Sequence, residues 1–253
     1  REYGGGQPVP LKLTTYCDAP LGSGLGSSSA MTVSLIRCFT ELYKIPADNY
    51  FLAELAIKIE RIDAKLPGGQ QDQYAASFGG FNFIEFSNTN RVIVNQLRIR
   101  NWILCELEAS VMLFYINTKR NSANIINSQK QSLVNDEESF LETYEALKKS
   151  AFQMKECLLR GELSEMYDVI NRSWLEKRKT SSLVTNQLIT DVIRTAIASG
   201  ARAARVSGAG GGGFFVMYVM PEDRAKLVKA LQRFSGQHSF IHFTSEGSQV
   251  WTI

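Results

Sequence analysis

The sequence predicts a mixed α/β protein of two domains. Three observations carry that expectation: a glycine-rich loop joining a strand to a helix near residue 20, a block of amphipathic helices over residues 136–199, and a second glycine-rich loop joining two strands near residue 210. A boundary is expected near residues 101–105, which divides the chain into domains 1–104 and 105–253.

Taken in order, residues 11–16 alternate apolar and polar side chains and read as a strand. The run Pro20-Leu21-Gly22-Ser23-Gly24-Leu25-Gly26-Ser27-Ser28-Ser29-Ala30 follows. Behind it Val33, Ile36, Phe39 and Tyr43 recur at helical spacing, giving a helix over 27–44 that Pro46 ends. Asp48 is placed to cap a second helix over 49–63, with Leu52, Leu55, Ala56 and Ile59 on its apolar stripe. Pro67-Gly68-Gly69 makes a loop, and Asp72 stands where a short helix starts. Two strands, 81–86 and 91–95, flank a Ser-Asn-Thr-Asn turn.

Residues 107–117 form the most apolar strand candidate. Helices follow over 136–160, 162–179 and 181–199, with Gly161 and Gly200 suited to two of their C-termini. Strands over 202–206 and 214–220 enclose Ser207-Gly208-Ala209-Gly210-Gly211-Gly212-Gly213. Pro221 suits the first turn of a helix over 222–234, and strands over 240–243 and 249–252 close the order.

Composition narrows the function classes. Of 253 residues 44% are apolar and 21% charged, ordinary for a globular chain. A net charge of +3, with basic residues scattered, gives no footprint for nucleic acid, and no apolar run reaches the length of a membrane span. Cys17, Cys38, Cys105 and Cys157 are far apart, without CxxC spacing, and read as reduced thiols of a cytoplasmic protein. His238 and His242 are the only histidines, which disfavours a histidine zinc site or triad.

The first glycine loop has the chemistry of an anion cradle. Glycine lets backbone N–H groups approach a ligand, and the positive end of the following helix dipole favours negative charge, so a polyphosphate is the expected tenant. It is not a P-loop, because no lysine follows Gly26, and Ser27 stands where a dinucleotide fingerprint needs its last glycine. Glu60 borders the buried stripe of its helix. It reads either as a boundary residue paired with Arg61 or Lys65, or as a ligand. Asp72 reads either as a helix cap or as a functional carboxylate among Gln70, Gln71 and Gln73, which could orient it. Four consecutive glycines in the second loop point to close approach to a ligand or to the first loop.

These stretches together resemble the GHMP kinases, the group containing galactokinase, homoserine kinase and mevalonate kinase. Gly68-Gly69-Gln70-Gln71-Asp72-Gln73-Tyr74-Ala75-Ala76-Ser77-Phe78-Gly79-Gly80-Phe81-Asn82-Phe83-Ile84-Glu85 is similar to the heptose-phosphate kinases among them. The resemblance implies an N-terminal part like the second domain of ribosomal protein S5, incomplete here, and a ferredoxin-like C-terminal domain. It also implies a segment upstream of Arg1, so the chain reads as a fragment. The implied reaction moves the γ-phosphate of ATP, with Mg²⁺, to the anomeric hydroxyl of a heptose 7-phosphate. A fucose- or galactose-type kinase is the enzymatic alternative, and a non-catalytic sugar and ATP sensor is the alternative of another class.

By the same resemblance Pro20, Gly22, Ser23, Gly24, Leu25, Gly26, Ser27, Ser28 and Ser29 bind ATP. Ser28 and Glu60 hold the metal, with Ser27 or Ser29 one position away. Asp72 is the general base, and Gly208, Ala209, Gly210, Gly211 and Gly212 brace the site. Lys119 and Arg120, after the most apolar strand, are candidates for the distal phosphate, because a planar guanidinium matches phosphate oxygens. The Lys177-Arg178-Lys179 run is a second candidate patch for that phosphate, or a partner for a helix dipole.

Overall fold

A computed structural model of the chain describes residues 10–20, 22–89, 91–117, 122–135 and 137–252. They group into two units. One takes residues 10–20, Gly26–Gln96 and the segment from Thr244 onward; the other takes Gly22–Leu25 and Leu97–Phe243.

In the first unit, helices α1 (Ser27–Leu42), α2 (Asn49–Ile57) and α3 (Gln71–Phe78) pack around Val33, Ile36, Leu52 and Ala56, which are all buried. The Asp48 carboxylate accepts from the Phe51 N–H at 2.8 Å and caps α2, as its place in the sequence predicts. The predicted second helix runs on as a π turn, Lys58–Asp63, closed by a hydrogen bond from the Ala64 N–H to the Ile59 carbonyl. Strands β1 (Asn82–Phe86) and β2 (Val92–Gln96) form an antiparallel hairpin with Asn82 opposite Gln96. The Tyr50 hydroxyl accepts from the Val94 N–H at 3.0 Å, tying α2 to that hairpin.

Residues 11–16 form no strand. Leu11, Leu13 and Tyr16 are exposed, and no described strand pairs with them; alternation alone does not hold a strand without a partner ladder. The predicted strand over 249–252 is also irregular. Its segment instead packs backbone against backbone with the end of α3: a Cβ at Gly79 would lie 2.2 Å from the Glu246 carbonyl carbon, and one at Gly247 would lie 2.1 Å from the Ser77 oxygen.

The second unit starts with α4 (Asn101–Ser110), where the sequence reading places the domain boundary and the start of a strand. Ile103 and Leu107 are buried four residues apart, a helical spacing, so the strand β3 begins only at Val111 and runs to Ile116. Helix α5 (Ser122–Asn135), not foreseen, precedes α6 (Glu137–Arg160), α7 (Leu163–Lys179) and α8 (Gln187–Ala198). Strands β4 (Ala201–Val206) and β5 (Gly213–Val219), helix α9 (Arg224–Leu231) and strand β6 (Gly236–Phe240) complete it.

The sheet order is β4-β5-β3-β6, antiparallel throughout. A first strand flanked by the second strand of a hairpin on one side and by the last strand on the other is the ferredoxin-like plan. Met112, Phe114, Phe215, Met217 and Val206 share one core with Trp174, Ile189, Val192 and Leu227 from the helices. The last strand lies earlier than the predicted 240–243 because β3 sets its register, Ile116 opposite Gly236 and Met112 opposite Phe240. Beyond it, Glu108 accepts from the Phe243 N–H at 3.1 Å and pairs with His242; these two bonds hold its carboxyl below the usual range.

Gly79 has φ 66° and ψ 174°, a region open essentially to glycine alone. Gly79→Ala is expected to lower stability by at least about 2 kcal/mol, from backbone strain plus the clash with the segment at Glu246. Gly69→Ala, where a Cβ meets nothing within 4 Å, should change it by less than about 1 kcal/mol. Urea unfolding of the two variants side by side measures the difference.

Candidate functional site

The N-terminus of α1 has no side-chain cap. Gly26 occupies the N-cap with φ 70°, and the first turn holds no acidic residue. The amide groups and the positive end of the dipole there could hold an anion. The three serines that follow differ: Ser27 and Ser29 are buried, and Ser28 is exposed. The Ser27 hydroxyl donates to the Pro20 carbonyl at 3.4 Å, whereas the Ser28 hydroxyl donates to Glu60 Oε1 at 3.2 Å.

Glu60 is 3% exposed. It lies within a π turn, seven residues after Ala53 and four after Ala56, both buried, so it continues the buried face of α2; the stripe includes Ala53 and leaves Ile59 exposed, which differs from the stripe expected from the sequence. Its second oxygen, Oε2, accepts from Gln73 Nε2 at 2.5 Å. Gln73 is fully buried, and its Oε1 has no hydrogen-bond partner among the described residues. Arg61 and Lys65 do not pair with Glu60. The Arg61 guanidinium instead donates to the carbonyls of Gly69 and Leu66, at 2.9 and 3.4 Å, and holds the loop that leads into α3.

Asp72 is half-buried in the first turn of α3. A Cβ at Gly26 would lie 3.2 Å from Asp72 Cγ, so the carboxylate sits against the backbone that opens α1. Ser28, Glu60, Gln73, Asp72 and Gly26 thus form one cluster inside the first unit. Its donor set is a hydroxyl, two carboxylates and the orphaned amide oxygen of Gln73, and such a set suits a hard divalent cation.

The second unit holds the first half of the glycine loop on the second loop. The Ser207 hydroxyl donates to the Gly24 carbonyl at 2.8 Å, and the Phe214 N–H donates to the Ser23 carbonyl at 3.2 Å. At Gly208, with φ 66°, a Cβ would lie 2.9 Å from Gly24 Cα, so glycine is required for the approach. Gly210 is similarly close to Val184, whose carbonyl accepts from the Gly211 N–H at 2.8 Å. Ala209 packs on the core, and Gly212 stands at φ 137°. Leu25 is exposed and Gly22 has φ 73°. Lys119 and Arg120 lie outside the described residues.

Sequence reasoning anticipated a glutamine orienting a carboxylate but not that Gln73 would bind Glu60, thirteen residues away. It singled out Lys177 only as part of a basic run and missed that its ammonium donates to the Gly208 carbonyl; Lys179 of the same run pairs with Glu176 at 2.7 Å. Nothing in a basic run at a helix end distinguishes the two.

Comparison with known proteins adds an independent line. The profile of the GHMP kinases N terminal domain matches residues 1–80, and that of the GHMP kinases C terminal matches residues 154–236. A D-glycero-alpha-D-manno-heptose 7-phosphate kinase of Campylobacter jejuni is 43% identical over 98% of this chain and 72% of its own length. The crystal structure of a D-glycero-D-manno-heptose 1-phosphate kinase from Bacteriodes thetaiotaomicron is 34% identical with a TM-score of 0.75, over 94% of this chain and 66% of that one. A galactokinase of Lactococcus lactis complexed with galactose shares the fold at 18% identity, with a TM-score of 0.70 over 92% of this chain and 69% of that one.

Removing the amide that faces Glu60 leaves a buried carboxylate short of a donor. Gln73→Leu is therefore expected to cost about 1–3 kcal/mol of stability, more than its added apolar surface returns. Denaturant unfolding measures it, and a neutral or stabilised variant would show that Gln73 does not support Glu60.

Proposed function

The chain belongs to the GHMP kinase family and is a phosphotransferase acting on a sugar hydroxyl; on that premise we propose that it transfers the γ-phosphate of ATP to the anomeric hydroxyl of a heptose 7-phosphate. The observation that carries the reading is the cluster at the start of α1, where Ser28 and Asp72 flank an uncapped helix N-terminus and Glu60 lies buried behind them. Phosphoryl transfer asks mainly for positioning and charge neutralisation, and this arrangement offers both.

In the proposed mechanism the amides from Gly22 to Ser28 hold the polyphosphate. Ser28 and Glu60 are the residues that would hold Mg²⁺, which neutralises phosphate charge when bound. Gln73 keeps the Glu60 carboxylate in one orientation. Asp72 takes the proton from the attacking sugar hydroxyl, so that the oxygen is a better nucleophile as it meets the γ-phosphate. The second glycine loop supports the first through Gly208. Lys119 and Arg120 are assigned to the distal phosphate of the sugar on their chemistry alone.

The substrate assignment draws on the 43% identical relative, whose name gives a heptose 7-phosphate. The crystallised relative's name carries a heptose 1-phosphate, so the position of the existing phosphate separates two readings of one substrate class. The intact protein, given ATP and a panel of heptose 7-phosphate, heptose 1-phosphate, fucose and galactose, is expected to turn over heptose 7-phosphate fastest. Phosphorus NMR of the product should show a new anomeric phosphate. A fastest rate with fucose or galactose, or a product phosphorylated elsewhere, would overturn the assignment.

Two variants test the roles. Asp72→Asn is expected to retain ATP binding and lower kcat by roughly two to four orders of magnitude, the size of a general-base contribution. Near wild-type turnover would leave Asp72 as a first-turn carboxylate that complements the dipole of α3, whose N-cap position is held by Gln70 with no side-chain cap. Glu60→Gln keeps the shape and removes the charge, so the Mg²⁺ concentration needed for half-maximal rate should rise. An unchanged Mg²⁺ dependence would return Glu60 to a purely structural part.

A further inference from the structure

The second glycine loop cannot hold its own shape. Gly208, Gly210, Gly211, Gly212 and Gly213 all have positive φ, and glycine backbone loses more freedom on ordering than any other. Its conformation has to be imposed from outside, and two of the bonds that impose it come from one short stretch that starts in the last turn of α7. The Lys177 ammonium donates to the Gly208 carbonyl, and the Val184 carbonyl accepts from the Gly211 N–H at 2.8 Å.

That stretch is itself anchored. Trp174, one turn before Lys177, is 4% exposed and fixes the rotation of α7. The Thr180 hydroxyl donates to the Lys177 carbonyl at 2.8 Å and accepts from Gln129 of α5 at the same distance. Ser181 shares a hydrogen bond with Ser128 of α5 at 2.8 Å and accepts from the Leu183 N–H at 3.0 Å. The lysine therefore leaves a rigid base and ends on Gly208, the glycine whose Cβ would lie 2.9 Å from Gly24 Cα.

We propose that Lys177 is a positioning residue for the phosphate-binding loop, acting through the Gly208 carbonyl on the backbone of Gly22–Leu25. A charged donor on this carbonyl draws Gly208 into the approach at Gly24, while Ser207 and Phe214 fasten the loop on either side. The role deepens the reading above and rests on the first loop being the ATP site. It also explains why the charge sits here: a neutral donor at the end of a flexible side chain gives a weaker bond and less reason to stay extended.

The test uses the intact protein and Lys177→Met, which keeps the side-chain length and removes the charge. Amide hydrogen exchange is expected to speed up by about tenfold or more in residues 207–214 and 22–25, and to stay as in wild type in β1 and β2. The Kd for ATP, by calorimetry, should rise by about tenfold, the scale of a lost charge-assisted hydrogen bond. Lys177→Arg should restore most of both effects. Wild-type exchange in both loops of the Met variant would overturn the proposal, whatever ATP does. Should the Met variant fail to fold, Lys177→Gln gives the same reading, with faster loop exchange expected and wild-type exchange overturning it. Loops that loosen in a protein whose wild type binds no ATP would keep Lys177 in its place and remove the kinase reading. ATP binding with unchanged exchange would do the reverse.

Discussion

The first unit is arranged around one buried carboxylate. Burying a charge costs several kcal/mol unless donors replace the lost water, and Glu60 meets that demand with one donor from each neighbouring helix: Ser28 from α1 and Gln73 from α3. Three helices are thereby tied in a way their small apolar core of Val33, Ile36, Leu52 and Ala56 does not by itself dictate. Apolar contact is non-directional, whereas a carboxylate with two fixed donors specifies rotation as well as distance.

The second unit is organised differently. Its core is apolar, built on Met112, Phe114, Val206, Phe215 and Met217 from the sheet, and packing of those side chains explains most of it. The directional contacts collect at one end, where Ser207, Phe214, Val184 and Lys177 hold two glycine loops together. Backbone meets backbone there because neither Gly24 nor Gly208 has a side chain to keep them apart. The two units thus use opposite means, a buried charge in one and an absence of side chains in the other, to shape the segments that flank Gly26.

Much of this was legible in the sequence, and what was not has physical reasons. The helix at Ser27, the Asp48 cap, the β1–β2 hairpin and the strands on either side of the second loop carry local signals: period, cap residue, turn residues. The strand expected over residues 11–16 needed a partner that alternation cannot guarantee. Strand β6, exposed along its length, lacks alternation altogether and exists because β3 offers it a ladder. Helix α4 was hidden because its buried residues, Ile103 and Leu107, merge into the apolar run of β3. At the site, residue types were readable but partnerships were not. Glu60 could be seen bordering a stripe, yet its burial depends on the stripe turning toward Ala53 and away from Ile59, and on donors from two other helices that no local composition announces. Lys177 looks like its neighbours until the fold brings Gly208 within reach.

The packing of Gly79 against Glu246 and of Gly247 against Ser77 has a consequence for how the polypeptide matures. The end of α3 leaves the ribosome early, while the segment that covers it is made only after the entire second unit has been synthesised. Until then the backbone around Ser77 and Phe78 must wait, its final neighbour not yet in existence, and contacts of such long sequence separation are slow to form even once both partners are present. The nascent first unit therefore passes through a stage in which its helices are formed but one flank is uncovered. During that stage a chaperone or a stray strand has access to a surface that the finished protein hides.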